Sequence, residues 1–320
     1  MRKPWRSLLG ILPALFLASC SPVDKHVLKI GTNNWLGYQP FYEAQQNGFW
    51  DQDTIAVVEL GSSTEVIRAL SSGALDAAAL TLDETVSALS RNSDLQIVMV
   101  LDISHGGDVL IAKPEITSLQ KLQGKTIGVE NTALGAIMLD AVLRTAGLAL
   151  ADVTIYSVTF DQHEAVLKKQ KVDAVITFEP VRSKLLAEGF LDLFNSRQIP
   201  DTIIDVLVVA KSAINKYPQR LQDVMKGYFT ARNLVMQQNN RTITNISKRV
   251  GLGREAVLMG YEQIKMPDLN ENQALLSQCD VGIKPTTEKL QKIMLQRKML
   301  KESVNLAALC YPQLIHGISM

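Results

Sequence analysis

The 320-residue chain has little cysteine, few aromatics and almost no net charge. Only Cys20, Cys279 and Cys310 are present, which leaves no CxxC metal site and no dense disulfide framework, although Cys279 and Cys310 can still pair. Lysine and arginine total 33 against 32 aspartates and glutamates, a net charge of +1 that gives no electrostatic footprint for nucleic acid. No apolar run reaches the roughly 20 residues that a membrane-spanning helix needs. There is no solenoid-type repeat and no low-complexity tract. The 47% apolar and 20% charged content is that of a globular chain.

What is present begins with an export signal. Residues 1–5 carry Arg2 and Lys3, and residues 8–18 are almost unbroken apolar sequence of signal-peptide length. The stretch Leu17-Ala18-Ser19-Cys20 resembles the lipobox of bacterial lipoproteins, which implies cleavage before Cys20 and lipidation of its thiol. An ordinary secretory signal with an incidental cysteine is the alternative. The expected division is a signal over residues 1–19 and a lipidated tether over 20–27, on the periplasmic side of a bacterial membrane. Ser21 in place of aspartate leaves inner against outer membrane undecided. The remaining chain, about 300 residues, has room for two lobes.

Hydrophobic periodicity then alternates strand and helix. "HVLKIGTN", "TIAVVELG", "LDAAAL" and "LQIVMVLD" read as strands, with helices between them in "QPFYEAQQNGFW", "TEVIRALSSG" and "DETVSALSRN". This order predicts an open parallel α/β sheet with its loops gathered at one edge. A second α/β unit follows, with strands in "KTIGVEN", "VTIYSVT" and "VDAVITFEP". It is flanked by the similar segments "DVLIAK" and "DVLVVAK", read as an extended pair where two chains cross between lobes. Lobe I is then expected over 28–109 and 206–320, and lobe II over 110–205. After Lys211 the pattern is almost wholly helical.

The motifs "IGTNNWLGYQPFYEAQQNGFW", "VIRALSSGALDAAALTLDE", "DISHGGDVLIAK", "LQKLQGKTIGVENTALG" and "KVDAVITFEP", in that order, resemble the periplasmic solute-binding proteins of ABC importers. The resemblance spans roughly residues 28–211 and is to the group that binds nitrate, sulfonates, taurine or thiamine-precursor pyrimidines. It implies an α/β, two-lobed periplasmic-binding-protein fold of type II, with a hinge of two crossing segments and a helical C-terminal region. It also implies a monomer that closes on a small molecule and delivers it to a permease with its ATPase subunits, without enzymatic activity, cofactor or metal. A sensory lipoprotein of the same fold is a second reading. An enzyme of the eukaryotic thiamine-pyrimidine synthase type is a third, disfavoured because the cysteine-rich motif of those enzymes is missing.

Ligands of such folds meet the loops that follow the strands. Trp35 and Tyr38 stand in the first loop, Ser63 and Thr64 at a helix start where free amides meet an anion, and Asp83 before the next helix. Asp102 and Ser104 belong to "DISHGGD", whose paired glycines permit close backbone approach; His105 beside them lacks any nucleophile to serve. From the second lobe the resemblance implies Glu130, Asn131 and Thr132 in "ENTALG", and Phe178 and Glu179 before Pro180. Asp83, Asp102, Glu130 and Glu179 together would make an acidic cleft, with no lysine or arginine in these loops. That favours a small polar or heteroaromatic ligand with amine or ring donors, such as an amino-sulfonate like taurine, a pyrimidine or another cationic metabolite, flattened on Trp35 or Tyr38, over nitrate or a simple sulfonate.

Overall fold

The structure, a computed structural model, describes residues 26–319. Cys20 and the segment before it lie outside these residues. The strands in chain order are β1 (Leu28–Thr32), β2 (Ile55–Glu59), β3 (Ala77–Thr81), β4 (Leu95–Ser104), β5 (Asp108–Ala112), β6 (Thr126–Val129), β7 (Thr154–Ser157), β8 (Ala174–Phe178), β9 (Leu191–Asn195), β10 (Ile204–Ala210) and β11 (Ile264–Lys265). They form one sheet of order β11-β4-β10-β3-β1-β2 and another of order β7-β6-β8-β5-β9. In the first sheet β3 and β10 are buried along almost their whole length, because helices cover both faces.

Neither sheet is purely parallel, contrary to the alternation expected from the sequence. β1 runs parallel to β2 and β3, but β10 lies antiparallel between β3 and β4. The second sheet repeats this: β6 is parallel to β7 and β8, while β5 runs antiparallel between β8 and β9. The reason is topological. β5 and β10 are the strands by which the chain enters each sheet from the other one, so they arrive running against their neighbours.

The two Asp-Val-Leu segments are therefore not a crossing pair. They are the equivalent antiparallel strands of different sheets, and the chain changes sheet just before each, at residues 105–107 and 196–203. These connections are tied to one another. The Ser104 and Ser196 hydroxyls are 2.8 Å apart, the Gly106 amide donates to Ser196 Oγ at 2.6 Å, and the Ser104 amide donates to the Ile203 carbonyl at 3.0 Å.

In the second sheet Leu110 and Ala112 pack on one face with Met138, Val142 and Phe194, while Val109 and Ile111 join the large core on the other. After β10 the chain is helical apart from β11. The helix Pro218–Met236 follows Lys211–Lys216 across a break at Tyr217, whose successor Pro218 disfavours helical backbone before it. Tyr228 and Phe229 of that helix are buried against the first sheet. The C-terminal segment is fastened back by a Cys279–Cys310 disulfide and by a bridge from Cys310 to Ile97 of β4. Among the described residues no helix is long and apolar enough to cross a membrane.

Candidate functional site

The loops after β1, β3 and β8, together with the first residues of β5 and β10, converge where the two sheets face each other. The loop after β1 is held from within. The Asn33 side chain donates to Ser63 Oγ at 3.0 Å and accepts the Trp35 amide at 3.1 Å, which turns Trp35 inward until it is only 4% exposed. Its indole Nε1 donates to Asp102 Oδ2 on β4 at 3.0 Å, and the Tyr38 hydroxyl donates to Asp205 on β10. Glycine is required at 37, since a β-carbon there would fall 1.9 Å from Asp102 Oδ2.

From the other sheet comes Phe178, the last residue of β8. Its ring stacks on Phe160 at 3.9 Å between centroids and meets Trp35 edge-on at 5.5 Å. Trp35, Phe178 and Leu134 line a cavity together with Asn33, Tyr38, Ser63, Thr81, Glu84, Asp108 and Asp205. Its volume is about 20 Å³. That is room for a water or two.

The walls are acidic. Burial is the main cause by which Glu84 is pushed up to about 8 and Asp108 to about 7, and by which Asp205 is raised well above the carboxylate range. Behind them Asp102 is raised to about 8 and Asp83 to about 6, again chiefly by burial. No lysine or arginine is among the described residues that line the cavity. Nor do any three histidine, cysteine, aspartate or glutamate side chains among the described residues stand where they could hold a metal ion. A guest carrying N–H donors or a positive charge would find acceptors here, and aromatic faces beside them.

The residues expected from sequence divide into groups. Trp35, Tyr38, Ser63 and Phe178 line the cavity. Asp102 stands one layer back, holding the indole, with Oδ1 buried and unpartnered. Thr64 and Glu130 meet across the cleft at its rim. Asn131 and Thr132 face a separate groove with Arg91, Arg297 and Lys298, and Thr132 caps the helix Ala133–Ala146 by accepting the Gly135 amide at 3.1 Å.

Three others are drawn elsewhere. Asp83 is buried in the first turn of the helix Leu82–Leu89, whose cap is Thr81, and its Oδ2 has no partner. Ser104 belongs to the tie between the crossings. Glu179 is turned away from the cavity, accepting from Arg182 at 3.1 Å and from the Ser183 hydroxyl at 3.0 Å and amide at 3.1 Å. His105 is exposed; His163 is buried and lowered to about 4 by desolvation. His163 Nδ1 lies 3.2 Å from the Thr177 hydroxyl and Nε2 lies 3.3 Å from the Val158 carbonyl, a neutral structural ring.

Asn33, Thr81, Glu84, Leu134, Asp108 and Asp205 line the cavity without having been expected there. For the two aspartates a signal existed. The repeated Asp-Val-Leu places one aspartate at the first residue of β5 and the other at the second residue of β10, so both open onto the cleft. Glu84 was readable as the partner in a Thr-x-x-Glu capping box, which the structure contains: the Thr81 amide donates to its carboxylate at 3.1 Å.

No curated protein matches the chain. Among solved structures it resembles the ligand-binding component of an ABC-type import system from Staphylococcus aureus, crystallised with zinc bound, at a TM-score of 0.74 and 13% identity over 92% of this chain and 99% of that one. The periplasmic aliphatic sulphonate binding protein SsuA from Escherichia coli superposes at 0.71 with 18% identity over 89% and 92% of the two chains. The desulfurization enzyme DSZB does so at 0.66 with 17% identity over 91% and 98%. At these identities the likeness establishes the two-lobed periplasmic-binding-protein fold. The sequence pattern of the NMT1-like family matches residues 21–247, and the chain belongs to that family.

Proposed function

We propose that this protein is the extracytoplasmic substrate-binding component of an ABC importer, tethered to the membrane through a lipidated Cys20. It captures a small ligand rich in amine or ring N–H donors and presents it to a permease by closing two lobes, over 28–109 with 206–320 and over 110–205, about the two crossings. The observation that carries this reading is the cavity between the sheets, in which Glu84, Asp108 and Asp205 face Trp35, Tyr38 and Phe178 with no basic residue on the wall. An anion placed there would lose its hydration and gain no cation; an organic amine would gain carboxyl acceptors, whose ionisation its own charge favours, and aromatic faces. The likeness to import components supports transport, although one relative in fold is an enzyme. Binding rather than catalysis also fits the cysteines: the two in the described residues are bonded to each other, so neither offers a thiolate.

The test is calorimetric titration of the chain beginning at Ser21 with diamines, aminopyrimidines, taurine, ethanesulfonate and nitrate. Amines or aminopyrimidines should bind, and Asp108→Asn with Asp205→Asn should weaken them at least tenfold. Binding confined to nitrate or ethanesulfonate, unchanged in the double variant, would refute the assignment of ligand class.

A further inference from the structure

Glu130 follows β6, and its carboxylate reaches across the cleft to the start of the helix Ser63–Ser71. One oxygen, Oε1, accepts both the Thr64 amide at 3.1 Å and the Thr64 hydroxyl at 2.6 Å. The Phe160 amide and the Ser62 hydroxyl add to the set that favours its charge, against the burial that raises it. The residue is only 6% exposed. The donors come from two segments, the helix start at 62–64 and the loop at Phe160, and no cation is among them.

This arrangement is held in place. The Thr132 amide donates to the Glu130 carbonyl at 2.8 Å, and the helix beginning at Ala133 can pack against that carbonyl only because position 135 is glycine. A β-carbon at Gly135 would fall 2.3 Å from the carbonyl oxygen. Amides and hydroxyls converging at a helix start are what binds a free anion elsewhere. Here the protein's own carboxylate fills the position, next to the cavity-lining Ser63.

We propose that Glu130 is a built-in anion which occupies this seat when the lobes meet, and that it sets the charge selectivity of the cleft. An anionic ligand has to displace it from its donors and lies near Glu84, which already feels its charge. A cationic ligand leaves it seated, so closure and capture reinforce each other. The inference rests on the ligand-binding role proposed above, while making a separate statement about one residue.

The test compares ethanesulfonate and 1,4-diaminobutane binding to the wild type, Glu130→Ala and Glu130→Gln by calorimetry. Glu130→Ala should gain ethanesulfonate affinity at least tenfold over the wild type while its diamine affinity changes by less than that. A folded Glu130→Ala protein with no gain for ethanesulfonate would overturn the inference and leave the amine-binding cavity standing. Gain for the sulfonate with no diamine binding in any form would uphold the role of Glu130 and refute the proposed ligand class. If the alanine variant does not fold, Glu130→Gln, which keeps the shape and loses the charge, should gain at least threefold; no gain there overturns the inference equally.

Discussion

Asp102 and Asp205 are cross-strand partners on β4 and β10, and each accepts a hydrogen bond from one aromatic of the same loop, Trp35 and Tyr38 respectively. Both carboxyls are buried. Two such groups side by side cannot both ionise without a cation, so the pair keeps a proton. The aromatic walls of the cavity are therefore anchored to the two strands that lead into or out of the crossings.

The retained protons make stability depend on pH with a definite sign. Burial raises Asp102 and Glu84 to about 8 and Asp108 to about 7, whereas carboxyls in an unfolded chain titrate near about 4. Between these values the native protein holds protons that the unfolded chain has released. Their contribution is thus fully present at low pH and is lost as pH rises through the folded values. His163, lowered to about 4, has the opposite sign up to its unfolded value of 6.5. The fall should be cleanest from about pH 6.5 to about pH 8, at about 2–4 °C in Tm for each kcal/mol lost. Thermal denaturation of the ligand-free protein at these two pH values checks it: Tm should be lower at the higher one, and Asp102→Asn should reduce the difference. A Tm that rises with pH over this range would contradict the protonated state of the cluster.

The indole bond to Asp102 can be measured directly. Trp35→Phe keeps a ring against Phe178 but removes the N–H, leaving Asp102 with both oxygens unpartnered, since Oδ1 already lacks a partner. An unsatisfied buried acceptor costs about 1–3 kcal/mol. Urea denaturation of Trp35→Phe, Asp102→Leu and the double variant should give a coupling of at least about 1 kcal/mol. Losses that simply add would show that the bond contributes little.

The sequence disclosed the strands and helices well because their apolar runs are short, regular and punctuated by glycine, as at Gly73 and Gly147. Trp35, Tyr38, Ser63 and Phe178, expected at the ligand, line the cavity because each ends or follows a strand. Asp205 was hidden because "DVLVVAK" was read as a strand of an extended pair crossing between lobes, when its antiparallel insertion between β3 and β4 puts the aspartate at the cleft. Glu179 meets its own helix for a local reason. Arg182 stands three residues on, at helical spacing, and takes the carboxylate that the strand end would otherwise have aimed at the cavity. Thr64 and Glu130 were both expected at the ligand; that one seats the other is a contact between lobes, which no local pattern reveals.

The Cys279–Cys310 bond offers a prediction independent of the cleft. It closes a segment of sequence separation 31 and fastens the C-terminal residues, through the Cys310 bridge to Ile97, onto β4. A loop of that length corresponds to about 3–4 kcal/mol of chain entropy removed from the unfolded state. Changing both cysteines to serine should therefore lower Tm by several degrees, and reductant should lower the wild type by a similar amount while leaving the variant unchanged. Because the bond holds the outer end of β4 at Ile97, while Asp102 and Ser104 lie at the cleft end of the same strand, affinity for whichever probe binds should change less than threefold. A larger loss of affinity at unchanged secondary structure would mean that the C-terminal helices position the cleft itself, beyond merely bracing the sheet behind it.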